Sequence, residues 1–384
     1  MILFDTYRNA FNLTNKLSTT WDDNTLLLYF SIVLGCILIS KSFCNIRDYS
    51  NSKIQKQKFV CLGLILWFFF GFRGSHVGMD TPQYRLMFTE ALTTNIFDSD
   101  MEPGFLLLNR FVYLLVPSVN IYMISFAGLI IILIFRSIWG YRHEIDIFTA
   151  LLCYVGMYYF QAFSLQRIYL SAAIVLWGYR YILEGNYLRF LIILLLTTLC
   201  VHFSSAILLL PFAYLLIYQK NKKITLIITG ICFFSIIPIA NMSVDYINIA
   251  RYAQYLEDGV DQDNSIGLMS IFDYVPAIIT VYVGYRRKLF SRWFDLLIAF
   301  TITGLFTRLF AYFIPVVGRL SILFIALYVL IIPYFIKQIR SCDKTTARYL
   351  RCCMMVFIFV KLHFYFYEYL SVDALMPYKF IWND

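Results

Sequence analysis

Charge is what this chain has least of. Only 14% of its 384 residues are Asp, Glu, Lys or Arg, against 60% hydrophobic and 19% aromatic. A soluble domain carries about 25% charged residues, so a soluble enzyme and a disordered protein are both excluded. Paired cysteines are missing too. Nine are present, but no CxxC or CxxH spacing occurs among them, which argues against a cysteine-based metal site or a disulfide framework. No cleavable signal is expected, since residues 1–24 are polar and no small-residue cleavage pattern follows the first apolar run. A repeated half with polar residues at mid-span, the mark of many transporters, is also lacking.

Long apolar runs are what the chain has instead. A helix needs about 20 apolar residues to cross a bilayer. Twelve spans are expected, at about 25–42, 58–72, 119–135, 146–164, 168–184, 188–201, 204–218, 224–240, 271–285, 293–313, 319–336 and 350–369. The apolar stretch 104–116 is too short to span and reads as an interfacial or re-entrant helix. The expected fold is an all-α polytopic membrane protein, one integral domain over 1–384. Its two larger loops, 73–102 and 241–270, lie on one face.

The formal charge of +9 would suggest nucleic acid in a soluble protein. Here it sorts by side. The connections 40–58, 136–145, 180–189, 219–223, 286–292 and 337–351 hold 21 Lys and Arg against six acids. The alternate connections and both termini hold nine against 17. By the positive-inside rule the first set is cytoplasmic, so both termini face outward and no nucleic-acid partner is expected. The cysteines agree: Cys36, Cys61, Cys153, Cys200, Cys232, Cys352 and Cys353 fall in or at the ends of spans, with Cys44 and Cys342 on the basic side.

The exceptions to this sorting carry the chemistry. Arg73, Arg167, Arg251 and Arg319 stand on the acidic outer face, and Arg308 lies a turn below it. All five are Arg, whose planar fork suits bidentate binding of phosphate or carboxylate. Pairing with outer acids such as Asp80, Glu102 or Asp273 is the plainer reading of each taken alone. Asp80, with Thr81 and Pro82 behind it, is equally a helix N-cap or a general base. His76 reads as an exposed bystander. His202 breaks the apolar stretch 188–218, either satisfying backbone at a turn or acting as a general base or hydrogen-bond donor to a sugar or phosphate. The aromatic run Phe364–Tyr369 reads as an interfacial belt, and Lys361 as a paired mid-span charge.

The order Arg73…Gly78-x-Asp80-Thr-x-x-Tyr84, then Glu102-Pro-Gly-Phe105, resembles the opening signature of the EpsG family of polysaccharide polymerases. Arg167 with Ser171-Ala172, Val201-His202-Phe-Ser204-Ser-Ala206, Gly318-Arg319 and Pro377-Tyr378-Lys379-Phe380 extend the resemblance along nearly the whole chain. Two departures stand out: Gln166 precedes Arg167 where the family often has Gln after the Arg, and the polar N-terminus is long.

The resemblance implies a Wzy-type glycosyltransferase of the bacterial inner membrane. Such an enzyme joins repeat units carried on undecaprenyl pyrophosphate into O-antigen, capsule or exopolysaccharide, with no cofactor and no metal. Expected partners are that lipid-linked glycan, the bilayer, and a chain-length regulator and flippase of the same pathway. Asp80 or His202 would be the base. Arg73, Tyr84, Glu102, Arg167, Arg251, Arg308 and Arg319 would bind pyrophosphate or glycan. A lipid-oligosaccharide flippase or transporter, and a membrane acyltransferase, are the competing readings.

Overall fold

In the computed structural model, residues 7–8, 11, 20–43, 52–96, 101–232, 272–310 and 315–383 are described. Helices account for nearly all of them, and the one β feature among them is an isolated bridge between Arg73 and Phe380. They group into two compact units. One comprises Met1–Ser205 with Tyr328–Asp384, the other Ala206–Leu327.

The first unit contains α1 (Asp23–Lys41), α2 (Ser52–Gly71), α3 (Thr81–Thr89), α4 (Pro103–Leu115), α5 (Val119–Gly140), α6 (Ile147–Tyr154), α7 (Gln166–Glu184) and α8 (Tyr187–Cys200). Local chemistry sets their ends. Asp22 caps α1 by accepting from the Asn24 and Thr25 amides at 3.2 and 3.0 Å. Asp146 accepts from the Thr149 amide at 3.2 Å at the start of α6 and also pairs with Arg351 at 2.5 Å. Gly185, at φ 81°, closes α7, and Asn186 opens α8 by accepting from the Arg189 amide. α5 packs on both α2 and α7, and α8 packs on α7 and α4.

The second unit contains α9 (Leu209–Lys220), a helical stretch over 222–232, α10 (Val275–Arg286), α11 (Arg292–Phe310) and α12 (Ser321–Ile325). α11 is its spine, with α9, α10 and α12 against it. The chain returns to the first unit as α13 (Tyr328–Cys342) and α14 (Lys344–Val372).

Twelve spans were expected. Among the described residues seven helices are long and apolar enough to cross a membrane: Asp23–Lys41, Lys53–Gly71, Val119–Gly140, Phe203–Lys220, Arg292–Phe310, Val317–Cys342 and Lys344–Val372. The difference has physical causes. The run at 188–201 forms a 14-residue helix, about 21 Å long at 1.5 Å per residue. The run at 146–164 is not one helix: α6 gives way to a π-turn, Val155–Tyr159, and then to a 3-10 turn, Gln161–Phe163. α7 carries Arg167, Arg180 and Glu184. The run at 271–285 gives the 12-residue α10, and 224–240 is described only to 232. Leu27, Leu34 and Leu38 on α1 are each more than half exposed, an apolar stripe that only a lipid environment accommodates on this scale. The protein is a multi-pass helical membrane protein.

The stretch 104–116 is the short helix α4. Leu107, Leu108, Phe111, Leu114 and Leu115 form an exposed apolar face, while Phe105, Leu106 and Asn109 turn inward. Helical spacing gives those five exposed residues one side of the cylinder. Such a helix suits a membrane interface.

Between α2 and α3 the chain makes a tight loop, 73–80, stitched to two distant segments. The Gly74 amide donates to the Lys379 carbonyl at 2.7 Å and the Ile381 amide to that of Phe72 at 3.0 Å. The amides of Gly78 and Met79 donate to the carbonyls of Ala374 and Asp373, each at 2.9 Å. Ser164, after the 3-10 turn, reaches both sides: it accepts from the Met79 amide and donates to the Asp373 carbonyl. Gly78 sits at φ 97°, and a Cβ there would lie 2.2 Å from the Phe163 carbonyl oxygen. Gly78→Ala should therefore cost about 1–3 kcal/mol and lower the melting temperature of the purified protein. An unchanged melting temperature would show that the loop has room to move.

Candidate functional site

Two acids begin helices here, and neither caps its own. Asp80 is the N-cap residue of α3 and Glu102 of α4, each followed by Pro, yet neither makes a side-chain capping bond. The Asp80 carboxylate accepts instead from Tyr84 within the same helix, while that of Glu102 is used across the fold. Glu102 is buried, with its side chain 4% exposed. Its Oε2 pairs with Nη2 of Arg167 at the start of α7. Its Oε1 accepts from the Phe203 amide at 2.9 Å and lies 3.0 Å from His202 Nδ1, just beyond α8. One carboxylate thus joins the starts of two helices to the end of a third.

Arg167 is held on every side. Nε and Nη2 donate to the Val201 carbonyl at 3.2 and 3.0 Å, and the guanidinium lies 4.3 Å over the ring of Phe105. The Tyr84 hydroxyl lies beside the Arg167 backbone and charge, and 3.4 Å from Asp80 Oδ2. Burial first, and the Asp80 carboxylate second, push that hydroxyl up from its ordinary pKa, so it serves as a neutral donor. Asp80, Tyr84, Arg167, Glu102 and His202 form one connected chain of polar groups. The His202 side chain is 30% exposed while Glu102 and Arg167 are nearly covered.

With Nδ1–H directed at Glu102, His202 carries its lone pair on Nε2, and the Ser204 Oγ lies 3.4 Å from that atom. A carboxylate that fixes the tautomer and orientation of an imidazole is how a His general base is prepared. Beneath this chain, one or two turns further on, Asn109, Ser171 and Ser205 are fully buried polar groups without a hydrogen-bond partner among the described residues.

Arg73 is a correction to the expected phosphate fork. Its side chain is buried, not presented. It donates to the carbonyls of Phe70, Val77 and Phe163 at 2.6, 3.0 and 3.1 Å and to Thr81 Oγ1 at 3.2 Å. With its amide oxygen turned to the guanidinium, Gln166 accepts from Nη1 and Nη2 at 3.2 and 2.8 Å. The rings of Phe70 and Phe163 stack 4.9 Å apart with the guanidinium near both. Burial holds its pKa down to about 10, which still leaves it charged at neutral pH. All five N–H groups are engaged, so none remains for a phosphate.

Arg308 and Arg319 lie in the second unit. Arg308 Nη1 donates to the Gly318 carbonyl at 3.0 Å, next to an exposed Arg319. Arg251 and the loop 241–270 lie outside the described residues. His76 is exposed. Among the described residues there is no group of three His, Cys, Asp or Glu placed to hold a metal.

Some partners were missed in the sequence. Gln166 was noted only as a departure from pattern, and Ser164, Asp373 and Phe163 were not singled out. Their signal is long-range pairing, which one sequence does not display.

A buried acid–arginine pair with a partly exposed histidine, gathered at three helix ends, defines a polytopic membrane protein with a built polar site. The EpsG family model matches residues 56–380, and the chain belongs to that family. No curated protein and no solved structure matches it. Membership makes it a polysaccharide polymerase-like membrane protein.

Removing the carboxylate should show how much it holds together. Glu102→Ala strands the Arg167 charge and should cost about 3–5 kcal/mol, whereas Glu102→Leu combined with Arg167→Met should cost clearly less. Thermal unfolding in detergent of the three proteins measures this. A double variant as unstable as the single one would rule out the pair as the main contribution.

Proposed function

We propose that this protein is a repeat-unit polymerase. It would act on the outer face of a bacterial inner membrane, joining oligosaccharides carried on undecaprenyl pyrophosphate into O-antigen or a related surface polysaccharide. The observation that carries this reading is the Glu102–His202 pair, which holds one imidazole nitrogen on a buried carboxylate and turns the other toward the Ser204 hydroxyl, in a chain of the EpsG family.

In the proposed reaction a hydroxyl of the acceptor unit approaches His202 Nε2, where Ser204 Oγ now lies. The hydroxyl oxygen attacks the anomeric carbon of the donor sugar and its proton passes to Nε2. The bond from that carbon to the pyrophosphate oxygen breaks, and the pyrophosphate leaves with the electron pair. Glu102 keeps the imidazole oriented and stabilises the imidazolium that forms. Tyr84 donates to a substrate oxygen, and Asp80 takes the part of a glycan-binding acid.

One observation favours a second reading. Ser204, His202 and Glu102 also form the order nucleophile, base, orienting acid, at 3.4 and 3.0 Å. In an acyltransferase the serine would be the nucleophile. The two readings diverge on one hydroxyl. In a strain lacking the gene, glycan gels should show one repeat unit on the carrier lipid and no ladder. His202→Gln should fail to restore the ladder, with turnover down roughly 10²–10⁴-fold, and Ser204→Ala should restore it. A dead Ser204→Ala would overturn the base reading, and repeat units trapped inside the membrane would point to a flippase.

A further inference from the structure

An apolar groove in the first unit takes no part in this chemistry. It runs between α2 and α5, which are antiparallel neighbours, and encloses about 620 Å³. That lies within the roughly 300–1,000 Å³ of ligand sites. Its floor is opened by two glycines. Gly63 faces the Phe135 ring, where a Cβ would lie 3.1 Å away, and Gly128 faces the Trp67 indole at 2.9 Å. That indole is itself fixed by donating to the Ile124 carbonyl at 2.9 Å. Val60, Leu64, Leu129 and Ile132 are exposed along the rims.

The ends of the groove differ. At one end stand Lys56, in the first turns of α2, and Arg136, near the close of α5, with Trp139 beside them. Neither cation makes an ion pair among the described residues, and both side chains are exposed. The other end closes at Trp67 and Ile124. From Lys56 to Trp67 a helix rises about 16 Å at 1.5 Å per residue, and the hydrocarbon core of a bilayer is about 30 Å thick. The groove therefore reaches through about one leaflet. Its charged end coincides with the basic side of the chain, and a Trp at that level matches the headgroup zone of a membrane.

We propose that this groove is a binding site for one anionic phospholipid of the cytoplasmic leaflet. Its phosphate sits between Lys56 and Arg136, and an acyl chain lies over Phe59, Gly63 and Gly128 toward Trp67. Leaflet depth and the position of the cations distinguish this occupant from a carrier lipid headed on the opposite face. A phosphate on the outer side would leave the two cations unanswered. The site rests only on the membrane fold, so it stands or falls separately from the proposed polymerase.

The test uses the whole protein, purified in detergent and given equal amounts of dioleoyl phosphatidylglycerol and dioleoyl phosphatidylcholine, with bound lipid read by native mass spectrometry. Wild type should retain the anionic lipid with roughly 30-fold preference, the factor expected of two cations. Lys56→Gln with Arg136→Gln should bring the ratio near one while lipid of either kind still binds. Ile132→Trp, which fills the groove from an exposed rim, should reduce both adducts, and its retained melting temperature would show that the fold is intact. Equal binding of the two lipids by wild type would overturn the proposal. So would an anionic preference that survives the double substitution, or a co-purified polyprenyl phosphate or second protein copy in place of the phospholipid.

Discussion

The first unit depends on one buried carboxylate. Glu102 lies at the start of a helix too short to cross the membrane, and its two oxygens tie that helix to Arg167 at the head of α7 and to the turn after α8. A lone carboxylate in such surroundings would be costly, and a lone guanidinium equally so. Each is tolerated because the other is present and because backbone groups complete the set: the Phe203 amide on the acid, the Val201 carbonyl on the base. Three helix ends that share no local sequence are brought together by this satisfaction of charge. The same bond orients His202. Holding the fold and preparing the imidazole are thus one arrangement.

Arg73 solves the burial problem in another way. Among the described residues it has no acid partner within ion-pair distance. It collects carbonyl dipoles instead, which are released where regular helix stops: Phe70 at the end of α2, Val77 in the loop, Phe163 at the end of the π and 3-10 turns. Irregular backbone at membrane depth is tolerated only where its polar groups are answered. Here the guanidinium answers several at once. The C-terminal segment adds the rest, since the carbonyls of Asp373, Ala374 and Lys379 accept the loop amides. Loop 73–80 is accordingly a fixed support for Asp80 and Tyr84.

Much of this was legible in the sequence, and the parts that were not share a cause. Hydropathy and charge alternation gave the helical class, and Pro behind Asp80 and Glu102 marked two helix starts, at Thr81 and Pro103. His202 at a break between helices was visible as a lone polar group in an apolar stretch. The span at 146–164 was not, because a π-turn at Val155–Tyr159 keeps the hydropathy of a helix while changing its geometry. Nor was the choice of partner. Glu102 stands just before a short helix, and that its carboxylate serves a distant arginine and histidine depends on contacts 65 and 100 residues away. Register between remote segments, as between Gly74 and Lys379, leaves no periodic trace.

The arginines of the acidic face stand together against the charge pattern, and the four that are described differ in how each charge is met. Arg73 is met by carbonyls and Arg167 by an acid, a carbonyl and a ring. Arg308 has a carbonyl, while Arg319 is exposed. A charge enclosed by fixed dipoles contributes position and field, whereas a charge with open N–H groups contributes contact. Transition-state stabilisation needs both, because donors aimed in advance cost no reorganisation when charge develops. A charge on the wrong side of a membrane pattern therefore marks a residue the fold needs there. Its enclosure, read from the carbonyls and carboxylates around it, decides whether that need is architectural or chemical.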